Sequence, residues 1–466
     1  MIGFQQEPTG LDPTLDSTAA IETIVAQNIV ETLVQMDERG QVKPALATGW
    51  TITADGLTYA FKIRDNRKFH NGRKLDSSDV KFSFERAMAP DSTNPNKRIF
   101  ANIATVATPS PTEVVLTLKT PDSLLLFNLT NAKAGVWAKE TVETNKVTPV
   151  GSGPYKFGRR VTGDRIVLVR NDDHPDAKSV RLREVSYKFI QDPNASVAAL
   201  LSGDLDAFPN MPAPEMLKQF ERNAQFKVAV GTTEGEVILA IHNGKAPFND
   251  VRVRRAIAHA IDRKALIEGA MFGYGTPIGS HFPPHNPNYV DLTGMYPLDL
   301  AKAKALLAEA GHPNGFEASL KLPPFPYARR SGEVIASQLG AIGIKIKIEP
   351  VEWAQWIGPV FRESQFDLTI VAHVQPYDLD NYTKQPYYYN YNSPDFTKLW
   401  GEILQATDPA KQGELFKRAQ RKVAEDAVNG FLFQLPQLGV YRAGLEGYWL
   451  SSPGAAAPLA QLRWTR

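Results

Sequence analysis

The sequence predicts an α/β protein with more than one lobe, and three observations support this. The chain has 466 residues, which is too long for one ordinary hydrophobic core. From Glu236 onward, apolar runs typical of buried strands alternate with capped helical patterns. That alternation is typical of an α/β lobe with a partly parallel sheet. Before residue 236, a β-hairpin, a helix and further strands indicate a region that is built differently.

The composition is that of a soluble globular protein. Hydrophobic residues make up 43% of the chain, charged residues 22%, and the formal net charge is +2. This charge is too small and too dispersed for a nucleic-acid partner, which would need clustered basic residues. No stretch approaches the ~20 consecutive apolar residues of a membrane span. Because there is no cysteine, disulfides, thiol nucleophiles and thiolate metal sites are excluded.

The strongest local signal lies between Pro44 and Met88. Residues 50–53 and 57–63 alternate in polarity on either side of Asp55-Gly56. Asp-Gly readily adopts the positive φ angles of a tight turn, so these runs predict a β-hairpin.

A helix is predicted to follow the hairpin. Asp76 or Ser77 can cap it, and Val80, Phe84 and Met88 fall on one face. The other predicted elements are an early helix over 21–32, helices capped by Asn194, by Asn249 or Asp250, by Asp262 and by Asp299, a helix over 330–342, and strands over 237–241, 344–348, 366–372 and 459–464.

Motifs of enzymes and metal sites are incomplete in this chain. Residues 78–81 match the S-x-x-K pattern of penicillin-binding enzymes, but its partner motifs are absent. The Gly273-Tyr274-Gly275 segment lacks the third glycine of a dinucleotide loop. His281 and His285 are separated by two prolines and cannot share a helical face, which disfavours a zinc pair. We therefore expect no catalytic residue, no metal and no cofactor.

Four segments of the sequence resemble the same family, and the resemblance extends over nearly the whole chain. These segments are 44–88, the Gly-Ser-Gly-Pro-Tyr loop within 150–155, the run 246–263 with its Arg-Val-Arg-Arg-Ala and Ala-Ile-Asp-Arg stretches, and the helix 301–311. Together they resemble the family 5 extracellular solute-binding proteins of ABC importers, which bind dipeptides, oligopeptides and nickel chelates. The resemblance implies a binding protein and not an enzyme.

The resemblance also implies a two-lobed periplasmic-binding-protein fold of type II, with an additional α+β domain inserted in lobe I. The expected boundaries are 1–34, 152–238 and 443–466 for lobe I, 35–151 for the inserted domain, and 239–442 for lobe II.

Candidate ligand-binding residues lie in two segments of lobe II. Arg329 and Arg330 follow a loop and open a helix, where an arginine fork and the helix N-terminus both attract a carboxylate. In dipeptide binders of the family, an arginine of this segment holds the ligand's carboxylate. Either arginine fits the match, and Arg329 lies nearer the loop. The alternative is that both arginines are solvated on a helix surface.

The second segment follows a predicted buried strand, at the edge of the sheet where open α/β sheets bind ligands. Asp378, and next Asp380, match the aspartate that pairs with a ligand α-amine in the family, although either can instead cap a turn. His373 stands where many relatives have tryptophan, and Trp353 matches a cleft tryptophan of oligopeptide binders. The tyrosines that offer stacking faces here are Tyr382, Tyr387, Tyr388, Tyr389 and Tyr391.

The resemblance implies a periplasmic receptor that captures a small zwitterionic ligand, a di- or oligopeptide or a peptide-like molecule, between two closing lobes. A membrane permease would be its partner, the protein would be a monomer, and a secretion signal would have been removed ahead of Met1. An opine, a glycoconjugate or a metal chelate are alternative ligands. Other classes left open are a serine hydrolase using Ser78 and the sensor half of a transcription regulator.

Overall fold

The computed structural model describes residues 1–16 and 18–465 and divides the chain into two compact units. Unit 1 comprises 1–231 and 437–466, and unit 2 comprises 232–436. The expected boundaries at 238/239 and 442/443 fall within about seven residues of these divisions. Both divisions lie inside long strands, Phe226–Ile241 and Asn429–Arg442.

Unit 1 contains a mixed sheet and a separate four-stranded antiparallel sheet. Apart from its portions of the long strands 226–241 and 429–442, the strands of unit 1 are Ile2–Phe4, Val34–Met36, Val42–Pro44, Ala47–Ile52, Thr58–Ile63, Ile103–Ser110, Glu113–Leu118, Tyr155–Val161, Arg165–Arg170, Glu184–Phe189, Ala207–Phe208, Leu445–Glu446 and Arg463–Trp464. Its helices are Ala19–Val25, Ser77–Met88, Arg98–Ala101, Leu125–Asn128, Ala132–Ala134, Lys139–Thr141, Pro193–Ser202, Pro214–Met216 and Leu217–Glu221.

The hairpin and helix predicted from the sequence are confirmed. The Thr53 amide donates to the Thr58 carbonyl at 3.0 Å, and Gly56 has a φ of 69° in the turn. The Asp76 side chain accepts from the amide of Ser78, and the Asp79 carboxylate accepts in return from the Asp76 amide. These reciprocal bonds satisfy donors that the first helical turn leaves without an intrahelical partner.

Unit 2 is built around strands in the order 344–350, 316–322, 368–373, 226–241 and 429–442. The first three are parallel to one another, and 226–241 runs antiparallel to 368–373, as the predicted partly parallel sheet requires. Its own strands are Thr276–Pro277, Phe316–Leu322, Ile344–Pro350 and Leu368–His373, and its helices are Val251–Ala260, Arg263–Met271, Leu300–Glu309, Pro326–Gly340, Trp353–Gln355, Trp356–Arg362, Asp378–Thr383, Pro394–Gln405 and Pro409–Glu425.

The helix predicted over 330–342 spans Pro326–Gly340, and three further predicted elements differ from the structure. The early helix ends at Val25 because Gln27 adopts a φ of 60°, although Ile29 remains fully buried beyond the helix and so continues the apolar spacing. Asp192, not Asn194, caps the helix 193–202, since its carboxylate accepts from Ala195 and a proline occupies the first helical position.

The third difference is at the C-terminus. Only residues 463–464 of the predicted strand pair with another strand, 445–446. No helix among residues 1–16 and 18–465 is long and apolar enough to cross a membrane.

Candidate functional site

A buried carboxylate, Asp378, is the centre of a polar cluster in unit 2. The strand 368–373 ends at His373, and a short helical turn begins at Asp378, after Tyr377 in a left-handed conformation with a φ of 56°. One Asp378 oxygen lies 2.7 Å from Nε2 of His281, and the other lies 3.0 Å from Nδ1 of His373. The Asn381 amide also donates to Asp378, at 2.7 Å.

The proton positions in this cluster follow from burial. Burial lowers the pKa of His373, so its neutral imidazole carries one N–H. Burial by itself would raise the pKa of Asp378, but the charge of His281 and the hydrogen bonds from His281 and His373 outweigh it and hold that pKa far below its usual range. Asp378 is therefore an ionised acceptor in the interior.

Each imidazole also contacts a tyrosine hydroxyl through its outer nitrogen. Nδ1 of His281 is 2.9 Å from the Tyr382 hydroxyl, and Nε2 of His373 is 2.9 Å from the Tyr388 hydroxyl. Asn429 donates to the Tyr382 hydroxyl at 3.2 Å. One continuous hydrogen-bond network thus joins four segments of unit 2, at residues 281, 373–382, 388 and 429.

Two further carboxylates are buried on the strand 226–241. Glu234 binds Nε2 of His285 at 2.6 Å, and Gln434 donates to the other nitrogen of that ring at 2.8 Å. Glu236 is 2% exposed, and its Oε2 has no hydrogen-bond partner among the residues that the structure describes. Burial, then the charges of Asp378 and Glu234, raise the pKa of Glu236 well above its usual value, which favours the protonated form.

Replacing Glu236 with glutamine is expected to stabilise the protein near neutral pH. A raised folded-state pKa means that the favourable contribution of Glu236 is complete below the unfolded pKa of about 4.3 and is lost as pH rises through the folded value. Urea unfolding in EDTA should show little difference between Glu236→Gln and wild type at pH 4. A difference favouring the variant should grow by about 1.4 kcal/mol for each pH unit between the unfolded and folded pKa values. A difference that stays constant with pH would contradict this prediction.

The two candidate arginines lie in the first turns of a helix that begins at Pro326, earlier than the predicted residue 330. Arg329 has a side chain that is 44% exposed, and its Nη2 lies 3.7 Å from the Glu352 carboxylate. Arg330 instead lies over the Phe272 ring, with its guanidinium carbon 5.2 Å from the ring centroid. The two arginines therefore face different surroundings.

Aromatic rings contact Trp353, which directly follows Glu352, the partner of Arg329. Trp353 is 38% exposed and stacks on the buried Trp356 with ring centroids 5.0 Å apart. Phe325 meets the edge of Trp353 at 5.1 Å and stacks on Tyr327 at 5.7 Å. Because Trp353 follows Glu352 directly, the arginine, its acidic partner and an exposed indole face lie close together.

The structure therefore separates the candidate residues into two groups. His373, Asp378 and Tyr382 belong to the buried cluster, while Arg329 and Trp353 belong to a partly exposed surface. Asp380 belongs to neither group, because its side chain is 20% exposed and lies 3.4 Å from Lys384.

Two expectations about the aromatic and histidine residues need correction. Tyr382, Tyr388, Tyr389 and Tyr391 offer no exposed stacking face, because each is 6% exposed or less. The Tyr382 hydroxyl is bonded to His281 and Asn429. His281 belongs to the candidate site, although the sequence suggested it only as one half of a disfavoured zinc pair with His285. The signal available in the sequence was a histidine next to Phe282, in a segment whose prolines exclude a helix.

Comparisons with known proteins agree with this architecture. Residues 41–395 match the model of the family described as "Bacterial extracellular solute-binding proteins, family 5 Middle". Over 470 residues the chain is 27% identical to heme-binding protein A of Haemophilus influenzae, covering 89% of this chain and 83% of that one. It is 25% identical over 464 residues to the glutathione-binding protein GsiB of Escherichia coli strain K12, covering 95% and 90% of the two chains.

A solved structure shows the same fold. The periplasmic binding protein AgaA of A. tumefaciens R10, in complex with agropinic acid, superimposes with a TM-score of 0.86 at 26% identity, covering 100% of this chain and 98% of AgaA. The predicted two-lobed α/β fold of type II is therefore confirmed, and the relatives are binding proteins and not enzymes. The chain belongs to the family 5 extracellular solute-binding proteins, the ligand receptors of ABC importers.

Proposed function

We propose that this protein is a periplasmic, monomeric receptor for a small zwitterionic ligand of peptide-like chemistry, which it presents to an ABC permease. The observation that carries the proposal is the partly exposed Arg329, whose partner Glu352 directly precedes the partly exposed Trp353. A guanidinium binds a carboxylate in two-point geometry, and an adjacent indole covers the apolar part of a ligand. Glutathione, the ligand named for the relative GsiB, is a small peptide that carries carboxylates.

Glu352 occupies the position beside Arg329 that a ligand carboxylate would take. Its side chain is 77% exposed, and the 3.7 Å contact with Arg329 is one that solvent screens strongly. Such surface pairs contribute about 0–1 kcal/mol, so a ligand carboxylate can displace Glu352 at little cost.

The acidic partner of a ligand amine is the second part of the proposal. Asp378 is 5% exposed and already accepts from three side chains, so an amine would have to displace one of them. Asp380, at 20% exposure, is the more accessible of the two predicted aspartates. We therefore propose Asp380 for direct contact with the ligand amine.

Replacing Arg329 with alanine is expected to weaken binding of a zwitterionic peptide more than tenfold. A hydrogen bond between charged groups contributes about 1.5–3 kcal/mol, equivalent to roughly a 10- to 100-fold change in the dissociation constant. Isothermal titration calorimetry measures this change directly. The matched control is Arg418→Ala, because Arg418 is 62% exposed and also lies 3.7 Å from a glutamate, Glu402.

The same titration with Arg330→Ala separates the two arginines. We expect a smaller effect there, since Arg330 is engaged with Phe272. An unchanged dissociation constant in Arg329→Ala, with a tenfold loss in Arg330→Ala, would reassign the carboxylate anchor to Arg330. No loss in either variant would remove both arginines from the site.

Native mass spectrometry of the gently purified protein tests the ligand class. We expect a released molecule that carries both an amine and a carboxylate, and titration with glutathione and with dipeptides then ranks chain length. Titration with heme and agropinic acid, the ligands named for two relatives, tests the alternatives. Tight binding of either of these, without peptide binding, would overturn the peptide proposal and leave the receptor role intact.

A further inference from the structure

We propose that His281, His373 and Asp378 form a buried site for one divalent transition-metal ion, such as Zn²⁺ or Ni²⁺. One ligand atom from each residue lies within 4.8 Å of the other two, and all three residues are buried. Imidazole nitrogens and a carboxylate oxygen are donors that both ions accept. This proposal concerns an ion held inside unit 2, and it does not depend on the peptide-like ligand proposed above.

The surroundings of the three residues match the outer partners of known metal ligands. When the inner nitrogen of an imidazole binds a metal, the outer nitrogen carries the proton and donates it to a fixed acceptor. The Tyr382 hydroxyl lies 2.9 Å from the outer nitrogen of His281, and the Tyr388 hydroxyl lies 2.9 Å from that of His373. Asn381 fixes the orientation of the carboxylate through its 2.7 Å bond to Asp378.

The charge in this interior is a second, independent observation. Glu234 and Asp378 are each 6% exposed or less. Within 1–16 and 18–465, their ion pairs are with histidines, and no lysine or arginine is paired with either carboxylate. A buried carboxylate needs a compensating positive charge, and a divalent ion between the histidines would supply it.

The three side chains would have to adjust their separations to accept an ion. Asp378 lies 2.7 Å from the inner nitrogen of His281 and 3.0 Å from that of His373, which are hydrogen-bond separations. Metal bonds of about 2.0–2.1 Å in a tetrahedral arrangement place ligand atoms about 3.3 Å apart. The two carboxylate–imidazole distances would lengthen by less than ~1 Å, the two histidine nitrogens, now within 4.8 Å of each other, would move to a similar separation, and the proton that each metal-bound imidazole keeps would lie on its outer nitrogen.

The test uses tag-free full-length protein and the metal alone. Because the site is buried, the protein is unfolded in urea with EDTA, exchanged into metal-free buffer and refolded with Zn²⁺ or with Ni²⁺. Native mass spectrometry should then show one ion per chain, and competition with a chromogenic chelator gives the affinity. We expect at least tenfold weaker binding in His281→Ala and in His373→Ala, and unchanged binding in His285→Ala, whose ring binds Glu234 outside the trio.

A variant that keeps all three ligands guards against loss of folding. Tyr388→Phe removes only the hydroxyl that orients His373, and we expect about tenfold weaker metal binding. Tyr387→Phe is the neighbouring control, and circular dichroism verifies that each variant is folded. Wild-type protein that retains neither ion, or equal retention in wild type and His281→Ala, would overturn the site and show that the trio is a hydrogen-bond network only. The peptide titration of Arg329→Ala would be unaffected by that failure.

Discussion

Replacing Asp378 with alanine is expected to lower the free energy of unfolding by about 3–5 kcal/mol, the cost of removing one partner of a buried charged network. The substitution leaves the N–H groups of His281, His373 and Asn381 without their acceptor in the interior. Thermal unfolding should show a midpoint lower by on the order of 10 °C for the unit that contains residue 378. The matched control is Asp380→Ala, whose pair with Lys384 is partly exposed and should contribute about 1 kcal/mol or less.

The effect of Asp378 should also depend on pH in a defined direction. Its folded pKa is depressed, so its stabilising contribution is present above the unfolded pKa of about 3.9 and is lost as pH falls toward the folded value. The difference in unfolding free energy between wild type and Asp378→Ala should therefore shrink below about pH 4. An equal difference at pH 3 and pH 7 would show that Asp378 acts by packing and not as an ionised acceptor.

Lys133→Ala should cause the second large effect, in unit 1. Lys133 forms an ion pair with Glu22, and the two residues are each 4% exposed. Removing the lysine leaves an uncompensated carboxylate in the interior, which costs about 3–5 kcal/mol. Urea unfolding monitored by fluorescence measures the loss.

The double variant Glu22→Leu/Lys133→Met distinguishes the lost pair from lost packing. Replacing both charges with apolar groups of similar volume should recover most of the stability, because neither charge then remains buried alone. Lys81→Ala is the surface control, since Lys81 is 41% exposed and lies 3.8 Å from Glu85, where about 0.5 kcal/mol is expected. A Lys133→Ala loss as small as that of Lys81→Ala would contradict the prediction.

Local chemistry explains which parts of the fold were predictable. Asp55-Gly56 and the cap at Asp76 act within a few residues of themselves, so the hairpin and its helix appear in the structure as expected. Asp250, Asp262 and Asp299 likewise cap the helices predicted for them. The early helix was overextended because Ile29 is buried by tertiary contacts after the helix has ended.

The alternation of strands and helices in unit 2 was evident from caps, turns and apolar periodicity, which act over short distances. The resemblance of four segments to one family pointed to the family and to the candidate segments around Arg329 and Asp378. Which side chains meet became clear from the folded structure. His281 is 97 residues from Asp378 in the chain, yet the two are hydrogen-bonded in the interior, while Arg329 remains partly exposed beside Glu352. Burial and charge pairing are properties of residues brought together by folding, and no spacing along the chain encodes them.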